Sequence, residues 1–330
     1  MSPEMNKTLD LVVKDINKQF GKGTLQTFSD QVVVDPDSII SSGSIGLDTA
    51  LGIGGYKKGR IVEVTGPESS GKTTILLHAI AGVQAKGGNC AFIDAEHALD
   101  PKYASDIGCD MDSLLISQPG YAEEALEIVN LLVKSGQLDL IVVDSVAALV
   151  PKDELEGQVG DQSVAKQARL MSQAMRMIVG NANKTGCTVM FINQFRANIG
   201  AFGHAPSKIG AGGNALKYYA SQRLEITRIG AAKEGQEEIG NKTRVKVKKN
   251  KLAPPFKEAE FIIKWGIGIH KDQEILDLAI EDGFMTRKGA WCYYKEESFQ
   301  GTVRALEWLN ENPEIKEEIR KQILELRGLE

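Results

Sequence analysis

Cysteine, histidine and aromatic residues are scarce in this chain, and long apolar runs are missing. The four cysteines and four histidines are scattered, without the close pairing of zinc sites or redox motifs, which argues against a structural metal or a disulfide framework. We therefore expect a reducing compartment, the cytoplasm. No run approaches the length of a membrane span, and charges among the first twenty residues interrupt any signal-peptide core.

The chain has more acidic than basic residues, but the charge is unevenly distributed. It holds 39 basic and 44 acidic residues, a net charge of −5. Residues 162–224 contain eight cations and no Asp or Glu, which leaves 31 basic and 44 acidic residues elsewhere. Residues 241–252 hold six further cations and no acid. Because phosphate affinity depends on local cations, the acidic average does not exclude a polyanionic partner.

Short apolar runs alternate with amphipathic stretches, which predicts an α/β fold with a mostly parallel central sheet flanked by helices. Strands are expected at 60–65, 90–94, 138–144, 188–193, 223–228, 244–249 and 259–265, and helices at 73–86, 122–135, 162–183 and 314–326. Glycine-rich stretches at 153–161 and 195–213 are predicted loops. We expect an N-terminal helix/strand arm at 1–35, a core at 36–269 and a small C-terminal α/β domain at 270–330.

The strongest motif is the octapeptide GPESSGKT at 66–73, which follows a predicted strand and opens a predicted helix. It matches the P-loop pattern in the structural context that the pattern requires. Its backbone amides and the helix N-terminus would hold phosphate oxygens, Lys72 would reach the β- and γ-phosphates, and the Thr73 hydroxyl would bind Mg²⁺. A chance glycine-rich turn is a much poorer explanation.

Three polar residues at strand ends are candidates for the chemistry. Asp144 ends an apolar strand, where P-loop proteins place an acid that holds Mg²⁺ through water. Glu96 follows the 90–94 strand and is placed to activate a water, although Asp94, Glu96 or Asp100 could equally cap the next helix. Gln194 could sense a γ-phosphate. Without further information, a plain polar strand end is the better explanation for Gln194.

The helix predicted at 162–183 has a polar, cationic face, because Arg169, Ser172, Gln173 and Arg176 recur at helical spacing. A solvated face is the usual explanation for such a pattern. The lack of acids over 162–224 and the adjacent glycine-rich loops favour a groove for a phosphate backbone instead. Arg196, Phe202 and Lys208 fit this interpretation, with Phe202 as a base-stacking side chain.

Five segments together resemble the RecA family of bacterial recombinases. They are GPESSGKT at 66–73, FIDAEHALDP at 92–101, IVVDSVAAL at 141–149, FINQ at 191–194 and GGNALK at 212–217, and the similarity extends over about 16–309. The resemblance implies a RecA-type P-loop core. Its protomers would assemble head-to-tail into a filament, with the helix near Leu9 docking on the next protomer and ATP lying between neighbours.

The resemblance also implies roles for individual residues around ATP and Mg²⁺. Glu96 would activate the water, Gln194 would sense the γ-phosphate, and Lys249 and Lys251 would reach the ATP of the neighbouring protomer, which with Lys72 completes the catalytic set. Thr73 and Asp144 would hold the metal. The ATP-binding set would be Gly66, Pro67, Glu68, Ser69, Ser70, Gly71, Lys72, Thr73, Thr74, Asp100, Tyr103 and Trp265, the last standing where the family usually has Tyr.

The same resemblance implies a DNA-dependent ATPase that pairs and exchanges strands in recombination and repair. Its partners would be single-stranded DNA, double-stranded DNA, further copies of itself and a LexA-type repressor whose self-cleavage it activates in the SOS response. Loops near 156–165 and 195–211 would line the DNA channel. The DNA-binding set would be Arg169, Ser172, Arg176, Arg196, Ile199, Gly200, Phe202, Lys208, Gly212, Gly213 and Asn214.

Three other functions remain open at this point. A closed-ring helicase shares the core fold, but the N-terminal helix and the Lys249/Lys251 pair favour a filament. A small-molecule P-loop kinase would hydrolyse ATP regardless of DNA. A DNA-polymerising module with negligible ATPase is disfavoured by Glu96 and Gln194.

Overall fold

The computed structural model describes residues 3–21, 24–25, 35–157, 164–197 and 208–329. Contacts divide the chain into two units, Met1–Ser38 and Ile39–Glu330. The described helices are α1 (Pro3–Phe20), α2 (Ile45–Leu51), α3 (Lys72–Gln84), α4 (Pro101–Ile107), α5 (Ala122–Ser135), α6 (Lys152–Leu155), α7 (Val164–Thr185), α8 (Ala215–Tyr219), α9 (Lys271–Glu281), α10 (Thr302–Glu311) and α11 (Pro313–Leu326).

The described strands include several of only two or three residues. They are β1 (Ile39–Ile40), β2 (Tyr56–Lys57), β3 (Ile61–Thr65), β4 (Cys90–Asp94), β5 (Leu115–Ser117), β6 (Leu140–Asp144), β7 (Thr188–Asn193), β8 (Phe195–Ala197), β9 (Lys208–Gly210), β10 (Gln222–Glu234), β11 (Glu237–Asn250), β12 (Glu258–Lys264), β13 (Gly268–Ile269), β14 (Thr286–Lys288), β15 (Trp291–Tyr294) and β16 (Glu297–Gln300).

The first unit contains the predicted N-terminal helix, α1. The helix ends where Gly21 takes a left-handed φ of 109° and donates its amide hydrogen to the Asn17 carbonyl at 3.1 Å. The Asn17 side chain then bonds both the amide and the carbonyl of Leu25, which fixes the chain reversal. On α1, Leu9 and Val12 are exposed while Val13 and Ile16 are partly buried. The strand expected in this arm lies outside the described residues.

The second unit is built on a nine-stranded sheet in the order β13-β12-β11-β10-β3-β7-β6-β4-β5. The neighbours from β10 to β5 pair in parallel, whereas β11, β12 and β13 add antiparallel strands at one side. The carboxyl ends of β3, β4, β6 and β7 therefore meet at one edge of the sheet. Such an edge is where open α/β sheets bind ligands.

Helices cover both faces of this sheet, and its central strands alternate between two cores. Leu140 and Val142 of β6 pack in the cluster that contains α3 residues such as Ile75. Ile141 of β6 packs in the opposite cluster, with α5 and α7. Strands buried on both faces explain the near-continuous apolar runs of the sequence. The predicted fold class is confirmed.

The boundaries of three predicted elements agree with the structure at every residue. The strands predicted at 90–94 and 188–193 and the helix at 122–135 match β4, β7 and α5 residue for residue. In contrast, β10 and β11 extend far beyond 223–228 and 244–249, since they form one long antiparallel ribbon. Many residues of its outer half are exposed, so burial does not impose an apolar run there.

The two predicted loops are partly regular. The first begins with α6, where the amide of Lys152 donates to the Glu123 carboxylate at 3.0 Å and its ammonium pairs with Glu156. The second contains a small hairpin in which β8 pairs antiparallel with β9, Arg196 opposite Ile209. A four-residue helix and a pair of three-residue strands leave no periodic sequence signal, which is why the loop prediction was wrong at these positions.

The C-terminal part packs α9, α10 and α11 against the antiparallel sheet β14-β15-β16 around its own apolar cluster. A buried carboxylate joins it to helix α2. Glu274 of α9 accepts hydrogen bonds from the Ser44 hydroxyl and the amides of Ile45 (3.3 Å) and Gly46 (3.0 Å), at the N-terminus of α2. Burial raises the Glu274 pKa to about 7, and the nearby Asp48 charge adds to the rise.

Candidate nucleotide and nucleic-acid sites

The predicted phosphate loop, residues 66–73, curls tightly between β3 and α3. Ser69 and Gly71 have left-handed φ values of 55° and 95°. A Cβ at Gly66 would collide with the Ile226 carbonyl oxygen, and one at Gly71 would collide with the Ile263 side chain. Glycine is therefore required at both positions, and the loop leads directly into the N-terminus of α3.

Three side chains of this site converge beside the loop. The Lys72 ammonium donates to the Pro67 carbonyl at 2.6 Å, and the Thr73 hydroxyl donates to the Asp144 carboxylate at 2.7 Å. Burial lowers the pKa of Lys72, and the negative charges of Asp144, Glu96 and Glu68 oppose this effect. Burial raises the pKa of Asp144 to about 6. A hydroxyl beside a carboxylate offers the hard oxygen ligands that Mg²⁺ prefers, so these residues fit a magnesium–nucleotide complex.

Glu96 and Gln194 come together at the carboxyl ends of β4 and β7. The Gln194 amide donates to Glu96 Oε1 at 3.2 Å, and the Ser145 hydroxyl donates to the same oxygen. Ser145 directly follows Asp144, so the cluster adjoins the Thr73–Asp144 pair. The Glu96 carboxylate and the Gln194 amide therefore lie beside Ser145, the residue that follows Asp144.

The neighbouring acids have other partners. Asp94 accepts from the amides of Ala98 (3.1 Å) and Leu99 (3.3 Å) and so shapes the loop that carries Glu96. Asp100 caps α4 by accepting from the amides of Lys102 (2.9 Å) and Tyr103 (3.1 Å). Of these acids, Asp100 fits the helix-cap alternative that the sequence left open, whereas Glu96 contacts Ser145 and Gln194 instead.

The predicted adenine-side residues lie on α3, at the start of α4 and in the turn after β12. The Tyr103 hydroxyl lies 3.0 Å from the Thr74 hydroxyl, which brings α4 against the third residue of α3. Trp265 lies in the turn after β12, where it is exposed and its amide donates to the Ile239 carbonyl at 3.0 Å. Asp100, Thr74 and Tyr103 therefore form one group, whereas Trp265 lies in the turn that connects β12 to β13.

A buried polar chain runs from Gln194 into the sheet, and the sequence analysis missed it. Asn193 accepts from the Gln194 amide at 2.9 Å and donates to Glu63 at 2.9 Å and to the Ala211 carbonyl at 3.2 Å. Glu63, only 2% exposed, also pairs with Arg223. A lone acid inside the apolar run of β3 was the available signal, because charges are rarely buried without a partner.

Lys249 and Lys251 lie at the end of β11 and bond to one helix end. Lys249 Nζ donates to the carbonyls of Lys217 (2.8 Å) and Tyr218 (3.0 Å), and Lys251 Nζ donates to that of Tyr218 at 3.4 Å. These carbonyls belong to the last turn of α8. The Lys249 pKa is lowered by burial and by the positive charges of Lys251 and Arg223.

Other cations of the 241–252 stretch face carboxylates on adjacent strands. Arg244 pairs with Glu258 and Glu260 of β12, and Lys246 pairs with Glu258 as well. Lys248 similarly pairs with Glu225 of β10 at 3.1 Å. Sequence proximity overstated the positive charge of this stretch, because antiparallel pairing supplies acids from elsewhere in the chain.

Helix α7 has the predicted cationic face. Met175 and Ile178 are buried on the opposite side of the helix, whereas Arg169 and Arg176 are exposed and Ser172 is partly buried. Arg176 Nε donates to the Ser172 carbonyl at 3.2 Å, which holds the guanidinium along the helix. The face is therefore available to a phosphate backbone.

The remaining predicted DNA-binding residues lie around the second loop. Arg196 belongs to β8 and Lys208 to β9, whereas Ile199, Gly200 and Phe202 lie outside the described residues. Gly212 and Gly213 follow the hairpin and have φ values of 73°. A Cβ on Gly213 would lie 2.9 Å from Ala168 Cβ, so this segment packs directly on α7 and leads to Asn214 and α8.

None of the helices in the described ranges is both long and apolar enough to cross a bilayer. Over the same ranges, no group of three or more His, Cys, Asp or Glu side chains could hold a metal ion.

Comparison with known proteins covers nearly the whole chain. The RecA N-terminal domain profile matches residues 7–270, and the RecA C-terminal domain profile matches residues 273–328. Protein RecA of Campylobacter hominis is 54% identical over 331 residues, which cover 100% of this chain and 95% of the relative. Protein RecA of Mycolicibacterium smegmatis is 52% identical over 329 residues, covering 99% and 94%.

A solved structure supports the fold. The crystal structure of the RadB recombinase aligns with a TM-score of 0.53 at 22% identity, covering 70% of this chain and 98% of that chain. At this identity the likeness concerns the architecture alone.

Proposed function

Because the chain belongs to the RecA family of recombinases, we propose that it is a DNA-dependent ATPase that forms ATP-gated filaments on single-stranded DNA. In this proposal it catalyses homologous pairing and strand exchange. The family is one of P-loop ATPases that bind nucleotide and DNA and act in recombination and repair. The observation that carries the finer proposal is the convergence of Glu96, Ser145 and Gln194 beside the phosphate loop.

The phosphate end of the site would hold ATP with Mg²⁺. The amides of residues 66–73 and the N-terminus of α3 offer positive partial charge to phosphate oxygens. Lys72, which donates to the Pro67 carbonyl, would bond a phosphate oxygen instead. Thr73 and Asp144 would hold the magnesium ion, which would neutralise charge on the phosphates.

Glu96 is the proposed general base for the attacking water. In the described part of the chain, both the Ser145 hydroxyl and the Gln194 amide bond Oε1, so Oε2 can accept a proton from water. These two donors also fix the orientation of the carboxylate. General-base catalysis of this kind typically contributes about 10²–10⁴-fold to the rate.

Gln194 would report the presence of a γ-phosphate. A phosphate oxygen competes with Glu96 for the Gln194 amide hydrogens, which gives the side chain two alternative partners. The carbonyl of Gln194 accepts the Ala211 amide at 3.3 Å, at the end of the second predicted DNA loop. A change at Gln194 is therefore passed to that loop through one backbone hydrogen bond.

Assembly would complete the catalytic site. Lys249 and Lys251 are proposed to reach the ATP of the adjacent protomer and to stabilise negative charge that develops on the phosphates. Arg169 and Arg176 of α7 would contact the DNA backbone, with the two predicted loops on either side. The bases would stay free to test pairing with a duplex. A filament of this kind would act in the bacterial cytoplasm, and activation of LexA-type repressor cleavage is part of the proposal.

ATP hydrolysis measured with and without single-stranded DNA tests this function. We expect DNA to raise the rate sharply in the native chain and Lys72→Ala to abolish it, because the ammonium of Lys72 contacts the transferred phosphate in the proposed site. A rate that ignores DNA would instead favour a small-molecule kinase. Electron microscopy with both nucleotide and DNA distinguishes filaments from closed rings, which would favour a helicase.

The shared site has its own test. Lys249→Ala combined with Lys251→Ala should remove DNA-stimulated hydrolysis while each protomer still binds nucleotide. Lys248→Ala is the matched control, since its ammonium pairs with Glu225. Normal turnover of the double variant would refute a site completed by the neighbour.

A further inference from the structure

A buried glutamine at the start of α7 ties together three segments of the chain. Gln167 is 9% exposed. Its Nε2 donates to the carbonyls of Val146 (3.0 Å) and Leu149 (2.8 Å), and its Oε1 accepts the Gly212 amide at 3.3 Å. All three partners are backbone groups, so the side chain fixes the course of the chain on both sides of it.

The first two bonds reach the nucleotide end of the molecule. Val146–Ala148 forms a short 3₁₀ turn directly after Asp144 and Ser145. Asp144 accepts from Thr73 of the phosphate loop, and Ser145 donates to Glu96. A shift of either residue therefore moves the turn that Gln167 holds.

The third bond reaches the nucleic-acid side. Gly212 lies at the end of the second predicted DNA loop, and a Cβ there would lie 2.9 Å from Val146 Cγ1 and 3.1 Å from Met171 Cγ. Gly212 is thus held between the 3₁₀ turn and α7. Arg169 follows Gln167 by two residues on α7, so the helix that presents the cationic face starts at the same junction.

We propose that Gln167 is a positioning residue that couples nucleotide occupancy to the grip on single-stranded DNA. The inference rests on the proposed function. The amide is suited to this role because it both donates and accepts, and it uses Nε2 and Oε1 on different segments at once. The turn, α7 and Gly212 therefore move as one body, and a change at Asp144 or Ser145 reaches α7.

The proposal predicts a change in the ratio of the DNA affinities measured with and without ATP, and not only a change in stability. Coupling between two ligands is the factor by which one changes the affinity for the other, and it is reciprocal. Loss of Gln167 should reduce the factor by which ATP strengthens DNA binding. A glutamine that served only to fill the interior would lower the melting temperature and leave this factor unchanged.

Gln167→Met is the direct variant, because methionine has a similar volume and cannot form the three bonds. Gln167→Glu keeps an acceptor for Gly212 and loses the donors to Val146 and Leu149. Asn183→Met is the matched control, since Asn183 is exposed on the same helix. Affinity for a fluorescent oligothymidylate is measured by anisotropy, with and without a non-hydrolysable ATP analogue and Mg²⁺.

We expect the ATP-dependent gain in DNA affinity to fall about five-fold or more in Gln167→Met, with nucleotide affinity in the absence of DNA within about two-fold of native. Asn183→Met should keep the native gain. If Gln167→Met does not fold, Gln167→Glu carries the test with the same expectation.

A native gain in either folded variant would overturn the proposal, whatever its melting temperature. A native chain that shows no gain at all would instead overturn the proposed function.

Discussion

The buried Glu274 carboxylate predicts how the stability of this protein depends on pH. It bonds the N-terminus of α2 through Ser44, Ile45 and Gly46. These donors favour the ionised form, but burial and the Asp48 charge outweigh them and raise the Glu274 pKa to about 7 from an ordinary 4.5. The Asp48 carboxyl is itself buried against Ser41 and Ser42, and its pKa is raised to about 6.

The sign of this pH dependence follows from whether the folded or the unfolded state binds the Glu274 proton. Below pH 4.5 both states hold it, between about 4.5 and 7 only the folded state does, and above 7 neither does. The free energy of unfolding therefore falls as the pH rises through this window. Each pKa unit corresponds to about 1.4 kcal/mol, so the full effect is about 3 kcal/mol and roughly 2 kcal/mol of it falls between pH 5 and 8.

Glu274→Gln removes the titration while keeping the shape of the side chain. Urea unfolding of the native chain and the variant, without nucleotide, gives the free energy difference at each pH. We expect the native chain to lose roughly 2 kcal/mol relative to the variant between pH 5 and 8. Glu281→Gln, an exposed change on the same helix, is the control. A difference that stays constant over this range would refute the assignment of a raised pKa to Glu274.

Three further predictions concern the sites. Glu96→Gln should lower DNA-stimulated phosphate release by about 10²-fold or more with little change in nucleotide affinity; near-native turnover would remove Glu96 from the chemistry. Arg169→Ala should lower the slope of log affinity against log salt for single-stranded DNA by about 0.7, measured by anisotropy at several KCl concentrations, and an unchanged slope would place Arg169 off the backbone path. Gly71→Ala should weaken nucleotide binding in calorimetry, because the added Cβ is strained at a left-handed φ and also clashes with Ile263. Gly87→Ala is the control: its φ is 77° and no atom lies within 4 Å of the added Cβ, so it carries the backbone strain alone and should bind nucleotide normally.

Features formed by residues that lie close together in the chain could be predicted from the sequence. The phosphate loop is a run of eight residues whose glycines, lysine and threonine act within one turn, so the motif specifies its own geometry. The strands β4 and β7 are buried on both faces, and uninterrupted apolar runs mark them. The polar face of α7 likewise follows from the spacing of Arg169 and Arg176 on a single helix.

Features that depend on distant partners could not be predicted in this way. Glu274 acquires its role from Ser44, which lies 230 residues away along the chain. In the sequence, nothing distinguishes Gln167 from other polar residues of a helix. Its hydrogen bonds to Gly212 and to the turn after β6 are visible only in the folded structure. The positive charge of residues 241–252 was overestimated for the same reason, because the carboxylates that pair with these cations lie on β10 and β12.

The hydrogen bonds of Lys249 and Lys251 have a consequence for an isolated subunit. Both ammonium groups neutralise the negative end of the α8 dipole. Any anion that draws them away removes the lysine donors from the carbonyls of Lys217 and Tyr218. Under the proposed function, an isolated protomer would keep these two cations bonded to α8, and the phosphates of a neighbour's ATP would have to offset their release, which would suppress turnover before assembly.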